Sequence, residues 1–304
     1  MRRRIIAVAV AAALLATGIF AGIAGCGKRP TTSTEDATGS QPATEEPLPP
    51  EEDTATPPPS GGTTAPKRLT LTIYLPREDK LGAVAREVPY TKAVATAAIN
   101  ELLKGPSSSD AAYGFHTEIP AGTKLRSVSI RDGIATVDLT GQFDDGGGSL
   151  SMFMRLAQLV FTVTQFESVD AVMLKLDGAP VEIFSGEGIV VDKPMRRADF
   201  EDMLPAIFVE KPLPGASSAS PLKISGTANV FEAVFKAEVR DASGAVAGSK
   251  TVTATSGTGT RGTFADSVPF TVARTQMGSL VVFAESPRDG SRIDVVTIPV
   301  KLVP

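Results

Sequence analysis

Lys124-Leu125-Arg126-Ser127-Val128-Ser129-Ile130-Arg131-Asp132-Gly133-Ile134-Ala135-Thr136-Val137-Asp138-Leu139 carries the strongest local signal in the chain. Two β-branched runs, 124–130 and 134–139, flank an Asp-Gly pair, the sequence signature of a β-hairpin. On its N-terminal side, Val94/Ala95, Ala98/Ile99 and Leu102/Leu103 recur on one face and predict a helix over 91–104, stopped by Gly105-Pro106. Before that helix, Leu69, Leu71, Ile73 and Leu75 alternate with Thr70, Thr72 and Tyr74, the period of a half-buried strand. On the C-terminal side Gly146-Gly147-Gly148 breaks the pattern. Phe153, Leu156, Ala157, Val160, Val163 and Thr164 then sit at helical spacing, with Ser149 as the expected N-cap. That stripe is expected to face the core. Val169–Leu176 and Val181–Phe184 flank Asp177-Gly178 and predict a second hairpin. The order β-α-β-β-α-β-β over 68–186 implies an α+β domain, with two helices covering one face of an antiparallel or mixed sheet.

Residues 187–204 mix charge and apolar character and are expected to connect two domains. From 205 to 304 only strand periods remain. Seven candidates run over 207–210, 222–227, 232–240, 247–254, 262–272, 280–284 and 293–302, separated by turns such as Asp241-Ala242-Ser243-Gly244. Seven short strands in about a hundred residues predict an all-β immunoglobulin-like sandwich. Phe231, Phe235, Phe264, Phe270 and Phe283 are its expected core.

At the other end, Arg2-Arg3-Arg4 precedes an apolar run to Phe20, and Ile23-Ala24-Gly25-Cys26 follows. This is the pattern of an export signal over 1–25, and it resembles the lipobox of bacterial lipoproteins. The resemblance implies cleavage before Cys26, lipidation of its thiol and an extracytoplasmic protein held on the membrane. Cys26 is the only cysteine, so an intramolecular disulfide has no second partner. Residues 26–67 are Thr, Ser, Pro, Glu and Gly with scarcely a large apolar side chain, the composition of a disordered linker. Of 30 Lys and Arg against 34 Asp and Glu, three are Arg2–Arg4. Removing them leaves 27 against 34, or −7, which opposes nucleic-acid binding.

Two further resemblances rest on particular blocks. Leu102-Leu103-Lys104-Gly105-Pro106, Ile119-Pro120-Ala121-Gly122-Thr123-Lys124-Leu125 and Asp132–Leu139 are similar, in that order, to the GerMN domain of sporulation and germination proteins. Pro212-Leu213-Pro214-Gly215, Ser225-Gly226-Thr227-Ala228 with Phe231-Glu232-Ala233, Gly262-Thr263-Phe264 and Leu280–Ala284 resemble the Gmad-type immunoglobulin-like domain of bacterial spore germination. The pairing implies a non-enzymatic accessory or assembly lipoprotein of the cell envelope, with envelope proteins as partners. The alternative is a lipoprotein that binds cell-wall glycan or peptide, although three tyrosines and no tryptophan offer few stacking platforms.

The residues themselves suggest no catalytic, cofactor or metal site. His116 is the sole histidine, too few for a zinc pair, and is expected in a loop. Gly257-Thr258-Gly259-Thr260-Arg261-Gly262 spells a dinucleotide fingerprint but opens onto a strand, which supplies no helix N-terminus for a pyrophosphate. It is expected to be a long hairpin loop. Asp144-Asp145 beside the glycines does not follow the ligand alternation of a calcium loop.

Overall fold

The first strand of the computed structural model, which describes residues 67–186 and 188–304, is longer than its alternation suggests and does not stand alone. Strand β1 (Arg68–Arg77) turns at Glu78, whose φ is 56°, and returns as antiparallel β2 (Lys80–Pro89). β2 is absent from the sequence reading because its turn carries no glycine and charges interrupt Leu81, Ala83, Val84 and Val88. The export-like run, Cys26 and the linker to residue 66 lie outside the described residues.

Helix α1 (Val94–Leu103) follows, and then a one-turn helix α2 (Ser108–Ala112) that had not been expected. Ser107 and Asp110 close a capping box on α2, and Asp110 also pairs with Arg86 of β2. Burial alone would raise the Asp110 pKa, but the Ser107 hydroxyl and the Arg86 guanidinium hold it below the usual carboxylate range. β3 (Leu125–Arg131) and β4 (Ile134–Leu139) form the hairpin read from sequence. Its two-residue turn places Asp132 at φ 50° and Gly133 at φ 76°, the backbone that a type I′ turn requires.

Helix α3 (Ser149–Val163) is the centre of this module. Gly148, and not Ser149, holds the N-cap position, and Ser149 is the first helical residue. Every residue from 154 to 163 is buried, because β1, α1, β5 (Ala171–Leu176) and a 3₁₀ turn at 197–203 pack around it. A helix expected to cover a sheet with one face is thus surrounded. The exception is Phe153, placed in the core stripe by periodicity but 38% exposed in the first turn. The polar members of the buried stretch are satisfied by backbone groups. Arg155 donates to the carbonyls of Glu118 (2.7 Å), Phe143 (2.9 Å) and Gly146 (2.7 Å), and the Glu118 amide donates to Gln158 Oε1 (3.0 Å). Near its end α3 closes the free edge of β1. The Tyr74 amide donates to Thr162 Oγ1 (3.2 Å), and Gln165 accepts from the Thr72 amide (2.9 Å) and donates to its carbonyl (2.7 Å).

β4 and β5 are parallel with α3 as their crossover, and the sheet order is β3-β4-β5-β6, a mixed sheet. The second hairpin differs from expectation. After Asp177-Gly178 the return strand β6 is only Ala179–Pro180, and 183–184 forms β7 (Ile183–Phe184) paired with β8 (Ile189–Val190). One more bond follows Pro180, from the Val181 amide to the Leu174 carbonyl (3.2 Å), before the chain leaves to form β7.

The segment expected as a connector is packed. Met195 exchanges both backbone hydrogen bonds with Val172 (2.9 and 2.8 Å), and Val191, Met195, Phe200 and Leu204 join the apolar cluster of the first module.

The second module is a sandwich of eight strands. β9 (Ile207–Lys211), β11 (Leu222–Ala228) and β14 (Gly262–Val268) make one sheet in the order β14-β11-β9. β10 (Ser217–Ala219), β12 (Val234–Arg240), β13 (Val246–Thr253), β15 (Gln276–Glu285) and β16 (Arg292–Val303) make the other, in the order β10-β16-β15-β12-β13. β10 has too few apolar residues to show a period, so it is missing from the sequence count. Gly226 has a reason to be glycine: a Cβ there would lie 2.0 Å from the Phe208 carbonyl oxygen, where β9 and β11 shift register. Phe235, Phe264 and Phe270 are buried in the core. Phe231 is 55% exposed, because it opens a 3₁₀ turn over 231–233 that replaces the first residues of the strand expected over 232–240. Phe283 is buried on the outer face of its sheet, with the Arg292 guanidinium 4.0 Å above its ring and Glu238 accepting from Arg292 (2.8 Å).

Candidate functional site

Strand β9 belongs to two cores. Ile207 and Val209 point into the sandwich, while Phe208, on the opposite face of the same strand, enters the apolar cluster of the first module. There its ring lies 6.2 Å from Tyr74 and 6.0 Å from Phe161. The junction is therefore built from interior packing and leaves little freedom for a hinge.

Beside the aromatic contact is a polar knot. Tyr74 Oη donates to Glu210 Oε1 (2.7 Å), and Arg197 donates to the same carboxylate oxygen (2.8 Å) and to Tyr74 Oη (3.2 Å). Arg197 also donates to Thr164 Oγ1 (2.9 Å) and the Phe161 carbonyl (3.2 Å), with its guanidinium 4.7 Å from the Phe161 ring centroid. Three segments far apart in sequence meet in one network. The sequence reading placed Tyr74 in a strand and Thr164 in a helical stripe and gave neither a role in a site; one tyrosine in an otherwise aliphatic and threonine strand was the single available hint.

Burial pushes the Tyr74 phenol well above its usual range; Arg197 pulls it down and Glu210 adds to the rise. A folded-state pKa above the unfolded one stabilises fully below the unfolded value and is lost as pH rises past it. Stability should thus begin to fall above about pH 10. The phenolate absorbance difference between the wild-type chain and Tyr74→Phe isolates this group. It should stay flat through the ordinary tyrosine range while the chain is folded and appear only with alkaline unfolding.

A groove of about 370 Å³ opens at the same junction, between β2, β9 and β16. Leu81, Phe115 and Phe208 supply its apolar surface, and Val295, 52% exposed, stands on its wall. Arg77 donates to the Thr297 carbonyl (2.7 Å), while Lys80 donates to the Asp202 carbonyl (2.7 Å). Both cations of the groove therefore tie one module to the segment that leads into, or belongs to, the other. Such a lining suits packing against a side chain or an extended segment and offers no activated nucleophile.

The sites named from sequence do not assemble into chemistry. His116 lies in a loop whose amide donates to the Pro76 carbonyl, with Nε2 3.3 Å from Glu118. Ser151 Oγ donates to the other oxygen of Glu118 (2.6 Å). The carboxylate stands between serine and histidine, so the histidine is not placed to take the serine proton as a triad requires. Asp144 is part-buried and its neighbour exposed. Burial raises the Asp144 pKa against the pull of Arg155. Among the described residues no group of three His, Cys, Asp or Glu is placed to hold a metal. Residues 257–262 do not form a hairpin loop, because β13 and β14 lie in different sheets and the loop crosses between them. Its Arg261 turns inward to the Pro205 carbonyl (3.0 Å) and Thr227 Oγ1 (3.3 Å), a structural use of the motif. Cys26 lies outside the described residues, and among those described no helix is long and apolar enough to cross a membrane.

Comparison with known proteins follows the two modules. Residues 72–182 match the Germane family, described as sporulation and spore germination, and residues 206–291 match Gmad2, an immunoglobulin-like domain of bacterial spore germination. Among solved structures, the tandem GerMN domains of the sporulation protein GerM from Bacillus subtilis align over 78% of this chain, with 15% identity and a TM-score of 0.38. The chain spans 61% of the length of that structure. The first GerMN domain of the same protein is 26% identical, covering 43% of this chain and 99% of its own, with a TM-score of 0.36. No curated protein matches the sequence.

Proposed function

We propose that this chain, which joins a Germane domain to a Gmad2 immunoglobulin-like domain, is a non-enzymatic assembly module of the cell envelope acting in sporulation or spore germination. In this reading it is exported, held on the outer surface of the membrane through lipidated Cys26, and set off from it by residues 27–66. The observation that carries the assembly role is the junction. Phe208 packs in the first module from a strand of the second, and the Arg197 network ties both, so the pair presents its outer surfaces at a constant relative position. A rigid two-module body loses little entropy on docking into a complex, because its orientation is already set.

In-cell cross-linking followed by mass spectrometry, across growth and starvation of a spore-forming host, tests this. A defined set of envelope proteins captured at one stage is the expected result. Capture of wall material alone would favour a glycan-binding lipoprotein and remove the assembly role.

A further inference from the structure

Within the first module two sheet edges are disposed of differently, and that of β3 is left open. β1 has its outer amides and carbonyl taken by Thr162 and Gln165 of the α3 region. β3 pairs with β4 on one side, and among the described residues no strand pairs with its other side. Arg131 and Ile134 flank the two-residue turn and are register partners, as are Ser129 and Thr136. By antiparallel alternation these pairs spend their backbone groups inside the hairpin, and the amides and carbonyls of Val128 and Ile130 point outward. Among the described residues neither has a backbone hydrogen bond outside the ladder. The edge is also not blunted by proline, and Ile130 is 40% exposed on the same face as the part-buried Val128.

Charge narrows the partner. Residues 124–131 hold Lys124, Arg126 and Arg131 and no carboxylate, in a chain whose net charge is negative. Arg126 is matched within the chain by Asp138 (3.4 Å) and Asp177 (3.5 Å), but pairing two copies through β3 would still bring Lys124 and Arg131 of each copy into one ribbon with no acid from either strand, which like-charge repulsion disfavours. A strand with carboxylates beside its apolar positions meets both requirements.

We propose that the open edge of β3 is a docking site for an extended acidic segment of another protein, added as a further antiparallel or parallel strand through the backbone groups of Val128 and Ile130. It specifies one contact of the assembly role and rests on that reading for its biological setting only. Arg131 selects the carboxylates, while Ile130 and Val128 receive alternate apolar side chains.

The test is amide hydrogen exchange on the full chain with two synthetic peptides, one alternating valine and glutamate and the other valine and lysine, each spaced with threonine. The glutamate peptide should protect the Val128 and Ile130 amides, and the lysine peptide should not. Ile130→Pro removes an outward amide without touching the ladder to β4, so it should abolish protection at Val128 with the thermal midpoint retained. Arg131→Glu should weaken the glutamate peptide and admit the lysine one. Equal protection by both peptides, protection unchanged in Ile130→Pro, or no protection by either would overturn the proposal. So would a dimer through β3 in the unliganded chain. Partners captured by cross-linking at other surfaces, with β3 unprotected, would sink this docking site and leave the assembly role standing.

Discussion

Phe208→Ala should cost about 3–5 kcal/mol, the range for deleting a large aromatic ring from a packed core. The ring is 2% exposed and lies between Tyr74 and Phe161, although its backbone belongs to the sandwich. Its loss should do more than lower stability, because it is the buried apolar link between the two cores, with only the partly buried Leu213 beside it. Urea unfolding followed by far-ultraviolet circular dichroism and by tyrosine fluorescence should give coincident transitions in the wild-type chain. In Phe208→Ala the two probes should separate, since all three tyrosines, Tyr74, Tyr90 and Tyr113, lie in the first module. Phe231→Ala is the control; that ring is exposed, and its removal should change stability by no more than about 0.5 kcal/mol. Coincident transitions in Phe208→Ala would show that the remaining contacts, the polar network and Arg77 on the Thr297 carbonyl among them, hold the modules together.

Arg197→Met should have the next largest effect, about 2–4 kcal/mol. The substitution removes four hydrogen-bonded contacts and leaves the part-buried Glu210 carboxylate with Tyr74 as its remaining side-chain partner. Arg197→Lys should recover only part of the loss. A lysine ammonium keeps the charge but cannot present the planar fork that reaches Glu210, Tyr74 and Thr164 together. A double-mutant cycle with Glu210→Gln, read by urea midpoints, should give a coupling of about 1–3 kcal/mol. Additive effects would reduce the network to independent surface contacts.

Much of the architecture was legible because the signals were local. The Asp132-Gly133 turn demands positive φ twice, and the chain supplies a residue pair that tolerates it, so the hairpin could be placed within a residue. Strand-type runs between turns, 222–227 and 247–254, likewise located β11 and β13 to within a residue. β2 escaped because Glu78 takes the left-handed turn position where a glycine would have announced it. β10 escaped because its three residues carry no large apolar side chain. Phe153 was misplaced because periodicity says which residues share a face and cannot say where another element stops covering it, and Phe231 because it opens a 3₁₀ turn ahead of its strand.

What the amino-acid order alone determined was the succession of local states, an α+β block followed by an all-strand block, because turn chemistry and apolar period act over a few residues. The two family resemblances are of this kind, resting on short ordered blocks of sequence. Only the tertiary structure decided that α3 is enclosed on all sides beyond its first turn, that residues 188–204 join a core, and that Phe208 faces away from its own sandwich. The joining of Tyr74, Arg197 and Glu210 across 136 residues was decided there as well. Each depends on which surface meets which, and that is set by the summed burial of many side chains from distant segments. No window of sequence contains that sum.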